Sequence, residues 1–407
     1  MNGGFWFVVW GFRDIIILRG PISTDKSETD MILLLNSMAH LLVDGLCAAT
    51  IFGQIEEERA LLLLLYSTLA FSTQCLVGLW ADRMRHVRHL EAVSALLLVL
   101  GYVLPVSALL KIILIGVGNS GFHVAGGVMT LRESGGKAAK LGVFVSPGAV
   151  GLTLGTLYPK LGAAFAVALV ATVGMVVVAE KEAEARAELV AKGTEARTEL
   201  AVKGTEARTE LAAKGAEEQT GLAVKGTEAQ AELETVQAEK SDAPVPEILP
   251  VLLLISAVAV RAIGGTAVRF PWKHGAAGAL LMTAFVAGGK TAGGYLCDSI
   301  GYQKAALFSL IPASILIACC SSWAVPSLLG QFALNLTMPV TLWLLYRSMP
   351  DSPGLSFGLA AAALWPGTIA GRLIQLMGPL LGILVMGSFL YGLLAILYSG
   401  KRIKGVQ

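Results

Sequence analysis

Long apolar segments alternate with short polar segments along almost the whole chain. Many of the apolar runs are about 17 to 25 residues long, the length of a helix that crosses a bilayer. Six runs precede a polar insert and six follow it, at 31–53, 60–80, 90–104, 106–131, 141–158 and 161–179, then at 248–268, 276–296, 305–320, 325–346, 356–377 and 380–398. The pattern predicts an all-α membrane protein with twelve transmembrane helices in two six-helix halves.

The composition excludes most soluble classes of protein. The chain is 55% hydrophobic and only 15% charged, whereas a soluble protein carries about 25% charged residues. The sequence contains no Walker phosphate loop, no Gly-x-Ser-x-Gly elbow and no His-Glu-x-x-His pair, so we do not expect an enzyme or a cofactor. The five cysteines form no zinc or disulfide spacing, and no metal site is expected.

Basic residues predict the orientation in the membrane. Clusters of Lys and Arg follow the second run, join the fourth to the fifth and the tenth to the eleventh, and end the chain. In a twelve-span chain all four clusters lie on the side of the insert. Because basic loops stay in the cytoplasm, we expect a plasma-membrane protein with both termini and the insert cytoplasmic.

These runs divide the chain into five parts. Residues 1–30 form a cytoplasmic or interfacial extension, which Arg13 and Asp14 interrupt and which is too short to span. Residues 31–180 form the N-terminal six-helix bundle and residues 247–400 the C-terminal one. Residues 181–246 form a cytoplasmic linker, and residues 401–407 a cytoplasmic tail.

The linker contains an 11-residue repeat, with residues 194–204 nearly identical to residues 205–215. One leucine per copy would form a narrow stripe on a helix, at Leu189, Leu200, Leu211, Leu222 and Leu233. One leucine in each 11-residue copy gives only a weak packing interface, so we predict a solvated, partly helical linker. A coil that binds a partner or itself remains the alternative.

The first apolar run carries three polar residues at four-residue spacing, namely Asn36, His40 and Asp44. Four residues turn a helix by about 400°, so these side chains share one face. Ionisable groups within a span are costly and usually face a cavity or a partner. We hypothesise that Asp44 carries the coupling proton and that His40 tunes or relays it. A structural pair of Asp44 with His40 or Arg261 is the alternative.

The second half carries three cations within its apolar runs, at Arg261, Lys290 and Arg372, without comparable acids. Arg can bind a phosphonate or carboxylate through two hydrogen bonds, and Lys acts as a point charge. These cations predict an anionic substrate or a carboxylate partner in the other half. His123 lies in a glycine-rich part of the fourth run, where a packed histidine and a cavity-lining one are both possible.

One short pattern occurs at the same place in both halves. Gly78 precedes Asp82 by four residues after the second run, and Gly294 precedes Asp298 likewise after the eighth run. The glycine allows close helix approach, and the carboxylate can cap a neighbouring helix or pair with a basic residue. The repetition indicates an internal repeat.

These two loops resemble the signature loop of the major facilitator superfamily. Arg83 follows the first Asp as in that loop, whereas Arg85 replaces its later glycine; the second copy keeps Gly301 but has Ser299 at the basic position. The resemblance implies the major facilitator fold, two pseudo-symmetric halves and a gating role for Gly78, Asp82, Arg83, Gly294, Asp298 and Gly301.

A narrower resemblance covers the first five runs. The segments "AHLLVDG", "GVGNSGFHVAGG" and "ESGGKAAKLGVFVSPGAVGLTLGTLY" are similar to the fosmidomycin-resistance branch of that superfamily, although Val124 replaces the proline after its span-4 histidine. The branch implies proton-driven drug export. The superfamily arrangement implies that spans 1, 4, 7 and 10 line a cavity, where His40, Asp44, His123, Arg261 and Asn335 would converge.

The sequence therefore predicts a secondary active transporter, a drug antiporter that exports a small anionic compound by alternating access and uses the proton gradient for energy. Uptake or exchange of an anionic metabolite is the alternative, and a signalling or adaptor protein that uses the repeat linker is a remote one. The expected partners are the substrate, protons and the lipid bilayer, with no nucleic acid, and the expected state is a monomer. The predicted substrate and proton residues are Asn36, His40, Asp44, His123, Arg261, Lys290 and Asn335.

Overall fold

The computed structural model describes residues 24–56, 58–219 and 248–403. Secondary structure within these ranges is entirely helical. The predictions for residues 1–23, for Leu222 and Leu233, and for the last four residues lie outside the described ranges.

The N-terminal half contains six membrane spans. Span 1 is one long helix, whereas the second and fifth spans are interrupted. Their helices are α1 (Thr24–Gln54); α2 (Arg59–Ser67), a π-helical turn (Thr68–Ser72) and α3 (Gln74–Ala81), which together form span 2; α4 (Arg88–Val103); α5 (Ala108–Glu133); α6 (Ala139–Val145) and α7 (Pro147–Leu157), which form span 5; and α8 (Gly162–Gln219), whose first part is span 6. A 3-10 turn at Pro159–Leu161 precedes α8.

The C-terminal half contains six uninterrupted spans. They are α9 (Ile248–Ala267), α10 (Gly275–Ile300), α11 (Tyr302–Cys320), α12 (Ala324–Ser348), α13 (Pro353–Leu373) and α14 (Gly378–Arg402). Each predicted run therefore corresponds to a helical span, and span 1 begins earlier than its apolar run does.

Ten spans in the described residues are long and apolar enough to cross a membrane. The other two are α4, which has only 16 residues, and α10, which is rich in glycine and carries Lys290. Large apolar side chains remain exposed on the outside of the bundle, for example Leu76, Val167 and Ile383. The chain is an integral, multi-pass membrane protein, since a bilayer would cover such side chains.

Each half has its own apolar core. In the first half, Leu46, Leu98 and Phe122 are among the fully buried members. In the second half, Leu310 and Phe389 have the same role. The two cores account for the division into two six-helix units, because each half buries its own apolar faces.

A third apolar cluster joins the halves at one end of the bundle. We call this the insert end, because span 6 reaches Ala179 and span 7 begins at Ile248 there. Leu141 and Phe144 of α6 pack with Leu342 and Phe357 of the other half, and the rings of Phe144 and Phe357 lie 6.0 Å apart. The indole N–H of Trp343 also donates to the Gly136 carbonyl at 2.6 Å.

Contacts between the halves are sparser towards the opposite end. Among the described residues, one side-chain hydrogen bond joins the halves there, between Thr153 and Thr283 at 2.6 Å. The bundle is therefore closed at the insert end.

Span 5 is broken because of its sequence. Pro147 has no N–H, so it cannot donate to the Val143 carbonyl and the helix stops at Val145. The Ser146 hydroxyl donates to Val143 instead, at 3.3 Å. The carbonyls that end α6 are thereby available to side chains from other spans.

Residues 180–219, the described part of the linker, belong to a unit separate from the membrane spans. Helix α8 continues through both predicted repeat copies to Gln219, and Leu189 is exposed.

Candidate functional site

Three ionisable side chains from two spans lie together, with two histidines beside one carboxylate. The Nε2 atom of His40 lies 3.4 Å from one oxygen of Asp44, and Nε2 of His123 lies 3.6 Å from the other. The two imidazole rings meet edge to face, with centroids 4.5 Å apart. We call these three residues the His–Asp–His cluster. The four-residue spacing in span 1 places His40 and Asp44 together, and span 4 supplies His123.

Both histidines use their other nitrogen in a hydrogen bond to the backbone. Nδ1 of His40 donates to the Phe144 carbonyl at 2.7 Å, and Nδ1 of His123 donates to the Asn119 carbonyl at 2.9 Å. A carbonyl oxygen can only accept, so each Nδ1 must carry a hydrogen. In a neutral imidazole, Nε2 then has a lone pair and no hydrogen. Both lone pairs therefore face Asp44.

This arrangement has a direct electrostatic consequence. With neutral histidines and ionised Asp44, lone pairs would face carboxylate oxygens at short range, and such contacts repel. A proton on Nε2 or on Asp44 turns a repulsive contact into a hydrogen bond or ion pair. The cluster is therefore stabilised by at least one proton or other positive charge, held among the two Nε2 atoms and the Asp44 carboxylate.

Asn119 fixes the carboxylate. Its Nδ2 donates to Asp44 at 3.1 Å, and it also contacts the Cys47 sulfur at 3.7 Å. The Asn119 side-chain oxygen is buried without a hydrogen-bond partner among the described residues. Asn119 was not singled out from the sequence, although its position one turn before His123 places both on the same face of α5.

Span 5 closes one wall of the cluster. A Cβ added at Gly148 would strike Nε2 of His40 and come within 2.5 Å of an Asp44 oxygen. Gly151 and Gly155 likewise sit against backbone carbonyls of α1. The glycine spacing lets α7 approach α1 closely.

Lys290 is the cation that lies nearest to the cluster from the other half. Its Nζ donates to the Val145 carbonyl at the break in span 5, at 3.4 Å, and it lies close enough to Asp44 for their charges to interact. The adjacent Thr291 donates to the Ser146 hydroxyl at 2.8 Å.

Arg261 is placed elsewhere. Its guanidinium donates to the hydroxyls of Thr337 and Thr341 at 2.7 and 3.0 Å. Both hydroxyls donate to span 10 carbonyls, so their lone pairs are free to accept. Within the described residues no carboxylate lies at ion-pair distance from Arg261, and the alternative pair with Asp44 is not formed in this conformation.

The remaining predicted residues lie in different surroundings. Asn36 is buried one turn before His40, and its side-chain oxygen has no partner among the described residues. Asn335 donates to the Gln331 carbonyl of its own helix at 2.8 Å. Arg372, which the sequence placed among the intramembrane cations, is exposed in the last turn of α13. The buried indole N–H of Trp365 also lacks an acceptor, and the sequence did not single it out.

The repeated Gly–Asp loops cap helices of the opposite half. Asp82 accepts from the N–H groups of Gly354 and Leu355 at the start of α13, at 2.6 and 2.9 Å. Asp298 accepts from Ala138 and Ala139 at the start of α6, at 2.8 and 2.9 Å. Each carboxylate thus meets the positive end of a helix dipole.

Glycines allow this approach. A Cβ at Gly78 would overlap the Gly354 carbonyl, and one at Gly294 would come within 2.5 Å of the Ala138 carbonyl. Gly301 ends α10 with φ 82°, a conformation that favours glycine. Arg83 makes only a long contact, 3.5 Å to the Leu79 carbonyl.

No family model and no curated protein matches the sequence. Solved structures match across nearly the full length. The E. coli fucose:proton symporter FucP is 13% identical and covers 91% of this chain and 98% of its own, with a TM-score of 0.51. A bacterial homologue of the iron transporter ferroportin, in an outward-facing state, is 13% identical. It covers 92% of this chain and 100% of its own, with a TM-score of 0.57.

A peptide transporter in complex with alafosfalin is 15% identical. It covers 95% of this chain and 97% of its own, with a TM-score of 0.54. A second FucP structure is described as a Major Facilitator Superfamily transporter in the outward conformation, with a TM-score of 0.50. At this identity the likeness concerns the fold. The twelve spans of this chain, in two six-helix halves, have the major facilitator fold.

Proposed function

We propose that this protein is a secondary active transporter that moves a small anionic compound by alternating access, coupled to protons at the His–Asp–His cluster. Export is the proposed direction, which the resemblance to the fosmidomycin-resistance branch implies. One observation carries the proposal: both Nε2 atoms face the oxygens of Asp44, while both Nδ1 atoms donate to backbone carbonyls.

The cluster suits a proton that is loaded and released. Asp44 retains partial exposure, 20% for its side chain, so a proton can reach it from the cavity. Either imidazole can share that proton, which gives a short relay from span 1 to span 4. Such proton relays are a common use of ionisable groups within membrane spans.

The substrate charge is inferred from two cations. Among the described residues, Arg261 has neutral hydroxyl partners, and Lys290 donates to a backbone carbonyl. An anion would satisfy either charge, and a carboxylate or phosphonate would match the guanidinium through two hydrogen bonds. The open acceptor on Asn36 adds a possible donor-binding point on the same wall as His40.

The caps at the insert end support alternating access. Opening that end would require Asp82 and Asp298 to leave the helices they cap, and Gly78, Arg83, Gly294 and Gly301 belong to the same loops. The orientation with the insert in the cytoplasm makes the present conformation closed to the cytoplasm. We further propose a monomer in the plasma membrane, with residues 181–246 as a linker.

Uptake by symport is the second candidate, and the charges near the cluster favour it. Ionised Asp44 attracts the charge of Lys290, and a proton on Asp44 would remove that attraction and leave Lys290 available to an anion. Proton and anion would then bind together rather than in competition. The fold accommodates such coupling, since FucP is a fucose:proton symporter.

Proteoliposomes test the proposal. We would impose pH gradients of either sign, add a panel of small anions that includes phosphonates, and follow internal pH with a fluorescent dye. Asp44→Asn is the test variant. Asp30→Asn is the matched control, because Asp30 lies on the same helix near its start and forms an ion pair with Lys140 at 3.9 Å.

We expect an anion to move protons in the wild type and the control, and not in Asp44→Asn. The sign of proton flux relative to anion flux separates export by antiport from symport. Anion flux that persists in Asp44→Asn, with unchanged proton movement, would contradict the assignment of the proton site.

A further inference from the structure

The donor atoms of the His–Asp–His cluster have the arrangement of a metal site. One ligand atom from each of His40, Asp44 and His123 lies within 4.8 Å of the others. We propose that these three side chains bind a divalent transition-metal ion of the Zn²⁺ class. The inference uses the same side chains as the proposed function, but it rests on geometry alone and does not require transport.

The separations fit a tetrahedral ion. Bonds from Zn²⁺ to His nitrogen and carboxylate oxygen are about 2.0–2.1 Å, which places neighbouring ligand atoms about 3.4 Å apart. Nε2 of His40 lies 3.4 Å from one oxygen of Asp44 and Nε2 of His123 lies 3.6 Å from the other. One ligand atom from each of the three side chains lies within 4.8 Å of the others, so small side-chain shifts would bring all three to an ion.

The hydrogen bonds around the cluster orient the ligands. Metal-binding histidines usually donate their second N–H to a carbonyl or carboxylate, which fixes the tautomer and the ring. Here the Phe144 carbonyl does this for His40, and the Asn119 carbonyl does it for His123. The Asn119 amide holds the carboxylate at 3.1 Å. Each ligand is thus held with its electron pair directed inward.

The ligand set indicates the class of ion. Two imidazoles and one carboxylate suit Zn²⁺, Fe²⁺ or Co²⁺, whereas Ca²⁺ and Mg²⁺ prefer oxygen ligands. Three protein ligands leave a fourth position open for water or another ligand. The Asp44 side chain is 20% exposed, so a water molecule could reach that position.

The positive charge of Lys290 would repel a divalent ion. Replacing Lys290 therefore tests the proposal through the direction in which metal affinity changes. Its positive charge acts on Asp44 and His123 from the other half. Removing that charge should strengthen metal binding, whereas general damage to the site should weaken it. The sequence did not indicate a metal site, because His123 comes from a different helix and makes no ligand spacing with His40.

We would measure Zn²⁺ binding by isothermal titration calorimetry on the full-length protein in detergent, prepared without a polyhistidine tag. We expect one ion per chain in the wild type. His123→Gln and His40→Gln should each weaken binding by about 100-fold, because each removes a ligand. Lys290→Gln should strengthen it by about tenfold.

The matched control is His86→Gln with His89→Gln. These rings pair with centroids 5.8 Å apart, outside the cluster, so the control should bind Zn²⁺ as the wild type does. Elution volume and thermal midpoint would verify that each variant is folded, and either ligand variant alone suffices for the test.

The proposal is overturned if the wild type binds no Zn²⁺, if the control removes binding, or if a folded ligand variant binds normally. Weaker binding in Lys290→Gln would also contradict it. Because no gradient or substrate is present, failure here leaves the proton-coupling assay unaffected, and a failure in proteoliposomes leaves this result unaffected.

Discussion

The carboxylate of Asp82 caps α13 by accepting the N–H of Gly354 at 2.6 Å, across the boundary between the two halves. Asp298 makes the equivalent contact with Ala138 at 2.8 Å. The halves are therefore joined reciprocally at the insert end, each giving one carboxylate and receiving one. A side chain that caps a helix contributes about 1 kcal/mol, so the two caps bias the bundle towards closure there.

Removing one cap should shift the bundle towards opening at the insert end. For Asp82→Ala we expect a change of about fivefold in the equilibrium, equivalent to about 1 kcal/mol. Double electron–electron resonance between spin labels on the loops after spans 2 and 10 would measure the distance distribution.

Asp351→Ala is the control for that experiment, since Asp351 is an exposed acid in the loop before α13. An unchanged distribution in Asp82→Ala would show that the cap does not hold the end closed. The double variant with Asp298→Ala should open further than either single variant.

Gly148→Ala should disturb the His–Asp–His cluster, because its added methyl group would overlap His40 and Asp44. Overpacking of a close-packed site costs about 1–3 kcal/mol, so we expect a lower thermal midpoint in detergent and weaker proton coupling.

Gly174→Ala is the matched control, since a Cβ at that exposed position in span 6 meets nothing within 4 Å. It should be neutral or slightly stabilising, because alanine favours helix over glycine by about 1 kcal/mol. Equal midpoints for the two variants would contradict the packing described for span 5.

Arg261→Gln should weaken binding of the transported anion by about tenfold or more, since hydrogen bonds to a charged group contribute about 1.5–3 kcal/mol. Gln can still donate to Thr337 or Thr341, so the helices should stay packed. The measurement is the concentration of anion that gives half-maximal flux.

Arg372→Gln serves as the control, because this exposed arginine lies in the same half but outside the buried site. A normal half-saturating concentration in Arg261→Gln would mean that Arg261 is structural only.

Deleting residues 194–226 should leave the transport rate within about twofold of the wild type if the repeats serve as a solvated linker. The rate per reconstituted protein is the measurement. Loss of all activity in a folded deletion variant would favour the adaptor hypothesis, in which the repeats are the functional module.

The sequence was sufficient for the spans and for one side of the cluster. The apolar runs predicted each of the twelve spans, although not the breaks in spans 2 and 5, and four-residue spacing placed His40 and Asp44 on one face. The repeated loops left two roles open for their carboxylates, a helix cap or a pair with a basic residue, and the structure shows caps.

The partners of these residues depend on tertiary packing, which periodicity does not encode. The approach of His123 to Asp44 depends on how span 4 rotates against span 1. From the sequence, Arg261 was the candidate cation beside Asp44, whereas in the structure it is the charge of Lys290 that acts on Asp44. Hydrogen bonds to the hydroxyls of Thr337 and Thr341 hold the Arg261 guanidinium against span 10.

The break in span 5 links the two halves through neighbouring peptide groups. The Phe144 carbonyl receives His40 from the first half, and the next carbonyl, that of Val145, receives Lys290 from the second. Separation of spans 5 and 8 would withdraw Lys290 from Val145 and from the field at Asp44 in a single movement. The break at Pro147 would therefore couple the separation of spans 5 and 8 to the electrostatic surroundings of Asp44.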